Sequence, residues 1–404
     1  MSAVKYWVWL SALDNVGVRA KAALIRRCGD AENVFFAPKG FFAQCEGVSA
    51  AEAAVLERRE LSLADAVLAD CDMQGLSVVT MQDALYPRRL KSIYAPPVAL
   101  YVRGRLPHID DEAVIAVVGT RRASPYGLKM GRQIAYEIAA CGGIVVSGLT
   151  HGIDAAAAVG AMTAGGICLG VLGTAHEQQD GELAMDVCVR GALISEYAPG
   201  RVSQRSFFRE RNRISAGLSV GAVAVEAPEK SGTLLFAAEA LEQGREVFAV
   251  PGNADAPGCR GTNALLKDGA APVTCGWDVM AEFAARFPDK IRKSGAVCPE
   301  ETPLTAPEGS RAAEKPRREE GKKEIDKEKS VEYIDVRTQL DLLSETQLKI
   351  VAAIEKEPTH VDDIVEKTGL GAATVLTQLT VMTVKGYVRR VPGNRVVLNI
   401  RRRP

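Results

Sequence analysis

Seven short apolar runs, separated by segments of helical length, constrain the fold of this chain more than any other feature. They lie between residues 114 and 274 and comprise VIAVVG, GIVVSG, GICLGVLG, ALISEY, GAVAVEA, REVFAVPG and APVT. Runs that are apolar on both faces and alternate with helices are typical of a parallel sheet covered on both sides. We therefore predict a Rossmann-like, doubly wound α/β domain over residues 76–288.

Residues 1–75 carry apolar groups at helical spacing and predict an N-terminal helical domain. Its segment DNVGVRAKAALIRRCG indicates two helices joined by a tight turn at Val16-Gly17-Val18. Such a helix-hairpin-helix (SAM-like) domain can offer backbone N–H groups to a nucleic-acid phosphate, because glycine allows close approach. A plain helical corner fits the same residues equally well.

The C-terminal part of the sequence predicts a linker followed by a small domain. Residues 289–338 are rich in Pro, Gly and mixed charge, which favours a flexible tether. Residues 339–404 predict three helices and a hairpin with its turn at residues 392–394, the order of a winged helix. Ser344 with Gln347 and Thr359 are the expected helix caps.

The third of these helices, over residues 372–385, carries one basic residue, Lys385. This favours an accessory or interaction module over a reader of the DNA major groove. Phosphate contacts from Arg389, Arg390, Arg395 and the terminal residues 401–403 remain open.

The charge balance and the cysteine content limit which partners and which cellular compartment we expect. Lys and Arg number 50, Asp and Glu number 50, and the formal net charge is +0, so a polyanion site has to be a local patch. Nine cysteines without a CxxC pair indicate reduced thiols and a cytoplasmic protein. The N-terminus lacks a signal-peptide pattern, and no apolar segment approaches the roughly 20 residues that span a bilayer. We expect no membrane association.

Ligands of open parallel sheets bind outside the carboxyl ends of the strands, which selects a small set of segments. These are residues 119–122, 147–152, 173–176, 228–233 and 251–253, and they are rich in glycine and hydroxyl groups. Glycines, hydroxyls, helix N-termini and guanidinium groups together suit a phosphodiester chain. The pattern favours capture of phosphate without chemistry.

Five arginines and one acid, Glu210, lie between Arg201 and Arg213. We expect a basic loop there, with Arg209, Arg211 and Arg213, to meet Arg121 and Arg122 from the first strand end. Glu196 and Glu226 can neutralise one or two of these arginines. We assign Arg213 to the loop, paired with Glu226 or Glu196, and Arg211 to the ligand.

Patterns for catalysis or cofactor binding are weak. The sequence lacks GxGxxG, GxxxxGK[ST], a nucleophile with a partner base, and a metal-ligand cluster, so we predict neither an enzyme nor a cofactor or metal site. The alternative is an enzyme like the phosphoribohydrolases that cleave nucleoside monophosphates, whose PGGxGTxxE loop resembles APEKSGTLLFAAEA. Phe236 stands at the place of that loop's catalytic acid, and Glu239 lies one turn later. A pure adaptor that recruits partners through the winged helix is a third class.

Eight motifs in order resemble the bacterial DNA-processing protein A family, also called DprA or Smf. They are YPRRLKSIYAPPVALYVRG, VVGTRRASPYG, VVSGLTHGIDAAA, GALISEYAPG, FFRERNRISAGLS, EAPEKSGTLLFAAEAL, GREVFAVPG and GTNALLKDGA, within about residues 86–275. The resemblance implies a protein that binds single-stranded DNA without cleaving it, dimerises through the sheet domain, and loads the RecA recombinase during natural transformation. His151 stands where the family has arginine, and residues 173–186 have lost a Tyr-Pro pair and carry acids.

The resemblance and the strand-end positions together give the predicted DNA-binding residues. They are Gly119, Thr120, Arg121, Arg122, Ser147, Gly148, His151, Arg209, Arg211, Asn212, Arg213, Ser231 and Gly232.

Overall fold

A computed structural model describes residues 3–179, 181–299, 345–354, 359–372, 374–375, 378–379, 382, 388–391 and 395–398. The chain divides into two compact units, Met1–Thr305 and Ala306–Pro404. Residues 300–338 of the predicted linker, which was placed at residues 289–338, and the predicted hairpin turn at residues 392–394 lie outside the described residues.

The first unit contains nine strands, thirteen α-helices and three short 3-10 helices among its described residues. The strands are β1 (Ser77–Thr80), β2 (Ala99–Gly104), β3 (Val114–Val118), β4 (Ile144–Ser147), β5 (Cys168–Val171), β6 (Ala192–Ser195), β7 (Gly221–Ala224), β8 (Glu246–Ala249) and β9 (Ala271–Pro272). The helices are α1 (Val4–Ala12), α2 (Val18–Cys28), α3 (Ala31–Phe35), α4 (Ala50–Leu56), α5 (Ser62–Gln74), α6 (Arg88–Lys91), α7 (Pro125–Ala140), α8 (Ile153–Thr163), α9 (Glu182–Arg190), α10 (Arg205–Leu218), α11 (Gly232–Glu242), α12 (Arg260–Lys267) and α13 (Gly276–Phe283).

The strands form one sheet in the order β1-β2-β6-β5-β4-β3-β7-β8-β9. All seven runs predicted from the sequence are strands, and they pair in parallel from β6 to β9. The strand order reverses between β4 and β7 on either side of β3, which creates the crevice where such sheets bind ligands. The predicted Rossmann-like, doubly wound parallel sheet is confirmed.

Two antiparallel strands at one edge extend the sheet beyond the seven runs. Strand β2 pairs with β6 through Tyr101 and Ser195, and β1 pairs with β2. Tyr101, Val98 and Ala198 also belong to the hydrophobic core of the N-terminal helices, together with Trp7 and Trp9. The helical segment and the sheet therefore share buried side chains within one unit.

Each face of the sheet is covered by its own set of helices. Helices α7, α8, α9 and α13 contribute Ile134, Ile153 and Phe283, among others, to the core on one face. Helices α6, α10 and α11 contribute Leu90, Ile214 and Phe236 to the core on the other. The packed chain continues beyond Phe287, because Ile291 is buried and the amide of Arg292 donates to the carbonyl of Cys141 at 3.0 Å.

The second unit contains α14 (Glu345–Ala353), α15 (Val361–Thr368) and a three-stranded sheet. Its strands are β10 (Thr359–His360), β11 (Val388–Val391) and β12 (Arg395–Leu398), in the order β10-β12-β11. His360 caps α15 by accepting the Asp362 amide at 3.3 Å, whereas Thr359, the predicted cap, lies in β10 opposite Val396. The predicted Ser344 cap and much of the predicted third helix lie outside the described residues.

Candidate nucleic-acid interface

A cleft of about 520 Å³ lies at the carboxyl ends of β3 and β4, beside α10 and the start of α11. We call it the strand-end cleft. Eleven of the thirteen predicted site residues line it: Gly119, Thr120, Arg121, Arg122, Ser147, Gly148, Arg209, Arg211, Asn212, Ser231 and Gly232. His151 is exposed and Arg213 is buried, and neither is among the lining residues.

The segment FFRERNRIS is part of helix α10 and not the basic loop expected from the sequence. Phe207, Arg211, Ile214 and Leu218 are all buried and follow one another at intervals of four, three and four residues. This spacing places them on one face of a helix. The arginines of the segment therefore point in different directions.

Five exposed cations surround the strand-end cleft. They are Arg121, Arg122, Arg205, Arg209 and Lys230. None of the five forms an ion pair with a described residue. The Arg121 guanidinium lies over the ring of Phe208, at 5.1 Å from its centroid. The rim of the cleft therefore carries unneutralised positive charge.

Arg211 lies at the floor of the cleft rather than on its rim. Its side chain is only 8% exposed, and its Nη1 donates to the carbonyl of Val171 at 2.8 Å. Burial lowers the pKa of Arg211, and the neighbouring Asp154 opposes that effect. Arg211, which the sequence assigned to the ligand, thus lines the cleft from a buried position that joins α10 to β5, and its contact with the ligand stays a prediction.

Arg213 is held by an ion pair, as predicted. Its Nη2 lies 2.5 Å from Oε2 of Glu196, and the two side chains are 8% and 11% exposed. Glu226, the other candidate partner, instead accepts the hydroxyl of Ser124 at 2.7 Å at the start of α7. Arg213 therefore fixes α10 against β6.

Backbone groups and hydroxyls complete the cleft. Helix α11 begins after Ser231, whose Oγ is buried and has no hydrogen-bond partner among the described residues. Gly148 has no room for a side chain, because an added Cβ would lie 2.2 Å from Nη1 of Arg211. The exposed helix N-terminus and the close backbone approach suit a bound anion.

Three candidate residues are absent from the thirteen predicted DNA-binding residues, although Lys230 lies in the selected segment 228–233. Arg205 and Lys230 line the cleft, and the spacing of four residues between Arg205 and Arg209 on α10 was the available signal for the first. Asp154 also lines the cleft and is 6% exposed. It lay within the motif SGLTHGID but was not distinguished from its neighbours.

The described part of the acidic segment at residues 173–186, which leaves out Asp180, does not supply carboxylates to the cleft. Glu177 accepts the backbone amide of Gly200 at 2.6 Å and is not among the lining residues. His176 is buried, and its Nε2 lies 2.9 Å from the carbonyl oxygen of Tyr101. It is a core side chain and not a polar loop residue.

Positions that would serve hydrolysis in the phosphoribohydrolase alternative are occupied by structural groups. Phe236 is 3% exposed and packs in the core. Glu239 accepts a hydrogen bond from Gln243 at 2.8 Å and does not line the cleft. Asp154 is the acid among the described lining residues, and it is buried beside Arg211. The geometry therefore does not favour this alternative.

A second cavity, of about 470 Å³, lies between the α1–α2 turn and the N-terminal half of α10. Lys21 lines it, is 6% exposed, and donates through Nζ to the Ser11 carbonyl at 2.6 Å. The Gly17 amide of the predicted phosphate-binding turn is already bonded to Glu52 Oε1 at 2.8 Å. In this arrangement the glycine N–H serves the fold, which favours the plain helical corner.

Two further observations concern metal binding and membrane-spanning helices. Within the described residues, no group of three His, Cys, Asp or Glu side chains is arranged to hold a metal ion. In the same part of the chain, no helix combines the length and apolar character required to cross a bilayer.

The fold and the cleft define a Rossmann-like α/β protein with a cationic, glycine-lined cleft at its strand ends and a winged-helix unit. A family model for DNA recombination-mediator protein A matches residues 77–284, about half of the chain, and a model for the DprA winged helix domain matches residues 337–394. The chain belongs to this DprA/Smf family.

Individual relatives agree with this assignment. Protein Smf of Synechocystis is 31% identical over 324 residues, covering 78% of this chain and 79% of that protein. DNA processing protein DprA of Bacillus subtilis is 36% identical over 224 residues, covering 54% of this chain and 75% of that protein. The X-ray structure of DNA processing protein A from Streptococcus pneumoniae superposes with a TM-score of 0.57 at 29% identity, covering 70% of this chain and 98% of that one. The family model and these relatives are named for DNA recombination and DNA processing.

Proposed function

We propose that this protein binds single-stranded DNA in the strand-end cleft and acts as a recombination mediator that protects incoming strands and loads RecA during natural transformation. The observation that carries the proposal is the set of five exposed cations around a cleft whose lining acid, Asp154, is buried. A surplus of guanidinium and ammonium groups without carboxylate partners attracts phosphate. Membership of the recombination-mediator family supports the same function.

The thirteen residues predicted from the sequence have different roles in this proposal. Arg121, Arg122 and Arg209 contact phosphate, together with the newly identified Arg205 and Lys230. Backbone and hydroxyl groups at residues 119–120, 147–148 and 231–232 shape the cleft, with Asn212 beside them. Arg211 and Arg213 support α10 from within, and His151 contributes at most from outside the cleft.

Binding to single strands has a characteristic salt dependence. Neutralising about three to five phosphates gives a slope of roughly −2 to −3.5 for the logarithm of the association constant against the logarithm of the salt concentration. Stacking contributes less than in an OB-fold, because the described lining residues include two aromatic side chains, Phe208 and Phe236, and Phe236 is buried.

The experiment is a titration of the full-length protein with fluorescently labelled oligo-dT, followed by anisotropy at several salt concentrations. The Arg121→Ala variant is expected to lose about 0.7 from the magnitude of the slope, which is the share of one phosphate contact. Arg26→Ala, which removes an exposed arginine of α2 outside the cleft, is the matched control and should bind like the wild type. Absence of binding, or binding with a slope near zero, would contradict the proposal.

RecA loading and dimerisation through the sheet domain belong to the same proposal. Two clefts on one strand raise the apparent affinity through effective concentration, without any new contact. Light scattering after size-exclusion chromatography measures the mass in solution, and a monomer at micromolar concentration would contradict dimerisation. Stimulation of RecA ATP hydrolysis on strands covered by single-strand-binding protein tests the loading step, and no stimulation would contradict it.

A further inference from the structure

Asp154 is a buried carboxyl group on which two loops of the strand-end cleft converge. It lies in the first turn of α8 and is 6% exposed. Thr150 donates its hydroxyl to Oδ2 of Asp154 at 2.9 Å, and the amide of Gly119 also donates to this carboxyl group. The Ser147 hydroxyl donates to the Asp154 main-chain oxygen at 2.8 Å. The segments that follow β3 and β4 are thus tied to one residue.

Helix α10 meets the same carboxyl group through Arg211. A Cβ added to Gly148 would lie 2.2 Å from Arg211 Nη1 and 2.5 Å from Asp154 Oδ2, so both groups press against the same glycine. The positive charge of Arg211 is therefore balanced by a carboxylate at the floor of the cleft. A phosphodiester that enters the cleft competes with this carboxylate for the guanidinium.

The charge state of Asp154 depends on opposing influences. Burial raises its pKa, whereas Arg211 from α10, the Thr150 hydroxyl, the Gly119 amide and Arg121 lower it. These are the groups that face the carboxyl from α10 and from the loops after β3 and β4. A bound phosphodiester adds a negative charge on the same side, which disfavours the ionised carboxylate.

We propose that Asp154 is a positioning residue that holds both loops and Arg211 in the arrangement that accepts a phosphodiester, and that it takes up a proton from solvent when the strand binds. Protonation removes the charge that repels the phosphate and frees the Arg211 guanidinium to interact with it. The inference rests on the proposed binding of single strands, and it adds a specific dependence on pH.

The experiment measures oligo-dT affinity of the full-length protein between pH 5 and 8.5 at constant salt. The wild-type affinity is expected to rise as the pH falls, by at most about tenfold per pH unit for a single linked proton. Asp154→Asn keeps an acceptor for Gly119 and Thr150 but cannot titrate. The affinity of this variant for oligo-dT should therefore not rise as the pH falls. Asp65→Asn, which removes an exposed carboxyl group of α5 outside the cleft, is the control and should retain the wild-type pH profile.

A second variant keeps the test informative if Asp154→Asn is unstable. Thr150→Val removes one hydrogen bond that favours the ionised carboxylate, so the pKa of Asp154 rises and the midpoint of the pH profile moves to higher pH. An unshifted midpoint, or an Asp154→Asn protein with the wild-type pH profile, would contradict the role of Asp154 but would leave the proposed DNA binding intact. A wild-type protein that binds no oligonucleotide at any pH refutes the proposed function as well.

Discussion

Replacing Arg211 by methionine is expected to destabilise the fold, in contrast to the same replacement at Arg209 two residues earlier. Arg211 is buried, donates to the Val171 carbonyl, and faces Asp154. Removing one partner of a buried pair costs roughly 3–5 kcal/mol, because the other charge stays buried without compensation. At about 2–4 °C per kcal/mol, the melting temperature should fall by roughly 6–20 °C.

Arg209 is the matched control because it lies on the exposed side of α10 and forms no ion pair with a described residue. An exposed side chain without such contacts changes stability by about 0.5 kcal/mol or less. Arg209→Met should therefore melt like the wild type while the salt slope of oligo-dT binding loses about 0.7 in magnitude.

Differential scanning calorimetry and anisotropy titrations on the two variants test the reasoning together, with binding measured well below both melting temperatures. One result would refute it: an Arg211→Met protein that melts within about 2 °C of the wild type, a shift of 1 kcal/mol or less, yet loses a full phosphate contact in its salt slope. Arg211 would then act on the ligand alone, and its burial beside Asp154 would make no contribution to the stability of the free protein.

Three further changes are expected to have measurable effects. Gly148→Ala should lower the melting temperature and abolish oligo-dT binding, since its Cβ would lie 2.5 Å from Asp154 Oδ2, and unchanged binding in the titration would show that the floor is adaptable. Burial lowers the pKa of Lys21 from 10.5 to about 8, so between these pH values the unfolded chain holds one more proton than the folded protein. The free energy of unfolding should therefore rise with pH across this window by on the order of 3 kcal/mol. Denaturant unfolding of Lys21→Met should lack this rise, and a pH profile identical to that of the wild type would contradict it. Incubation with nucleoside monophosphates should release no free base by chromatography, because Phe236 is buried at the place of the catalytic acid, and release would restore the hydrolase alternative.

The parallel part of the sheet could be predicted from the sequence because each of its strands is apolar on both faces. Strands β1 and β2 were not predicted as part of the sheet, since their antiparallel register depends on β6, about 90 residues from Tyr101 along the chain. Pairing between distant segments leaves little local trace in the sequence.

The site was predicted in outline but not in the roles of its arginines. Charge balance limited the partner of Arg213 to Glu226 or Glu196, because few acids were available at adjacent strand ends, and the structure shows that the partner is Glu196. Arg211 was assigned to the ligand because the segment was treated as a loop. Its spacing from Phe207 and Ile214 carried the helical signal that places it on the buried face.

The pairing of β3 with β7 has a consequence for how the protein is made. Ile115 of β3 lies opposite Gly221 of β7, so one side of the central strand stays open until a further 106 residues have been synthesised. At about 5–20 residues per second, this interval lasts roughly 5–20 seconds. Ribosome-bound chains ending near residue 200 should crosslink to chaperones more than chains ending near residue 290, and equal crosslinking would contradict this. The segment that completes the centre of the sheet follows directly after α10, so this helix emerges from the ribosome before the sheet against which it packs is complete.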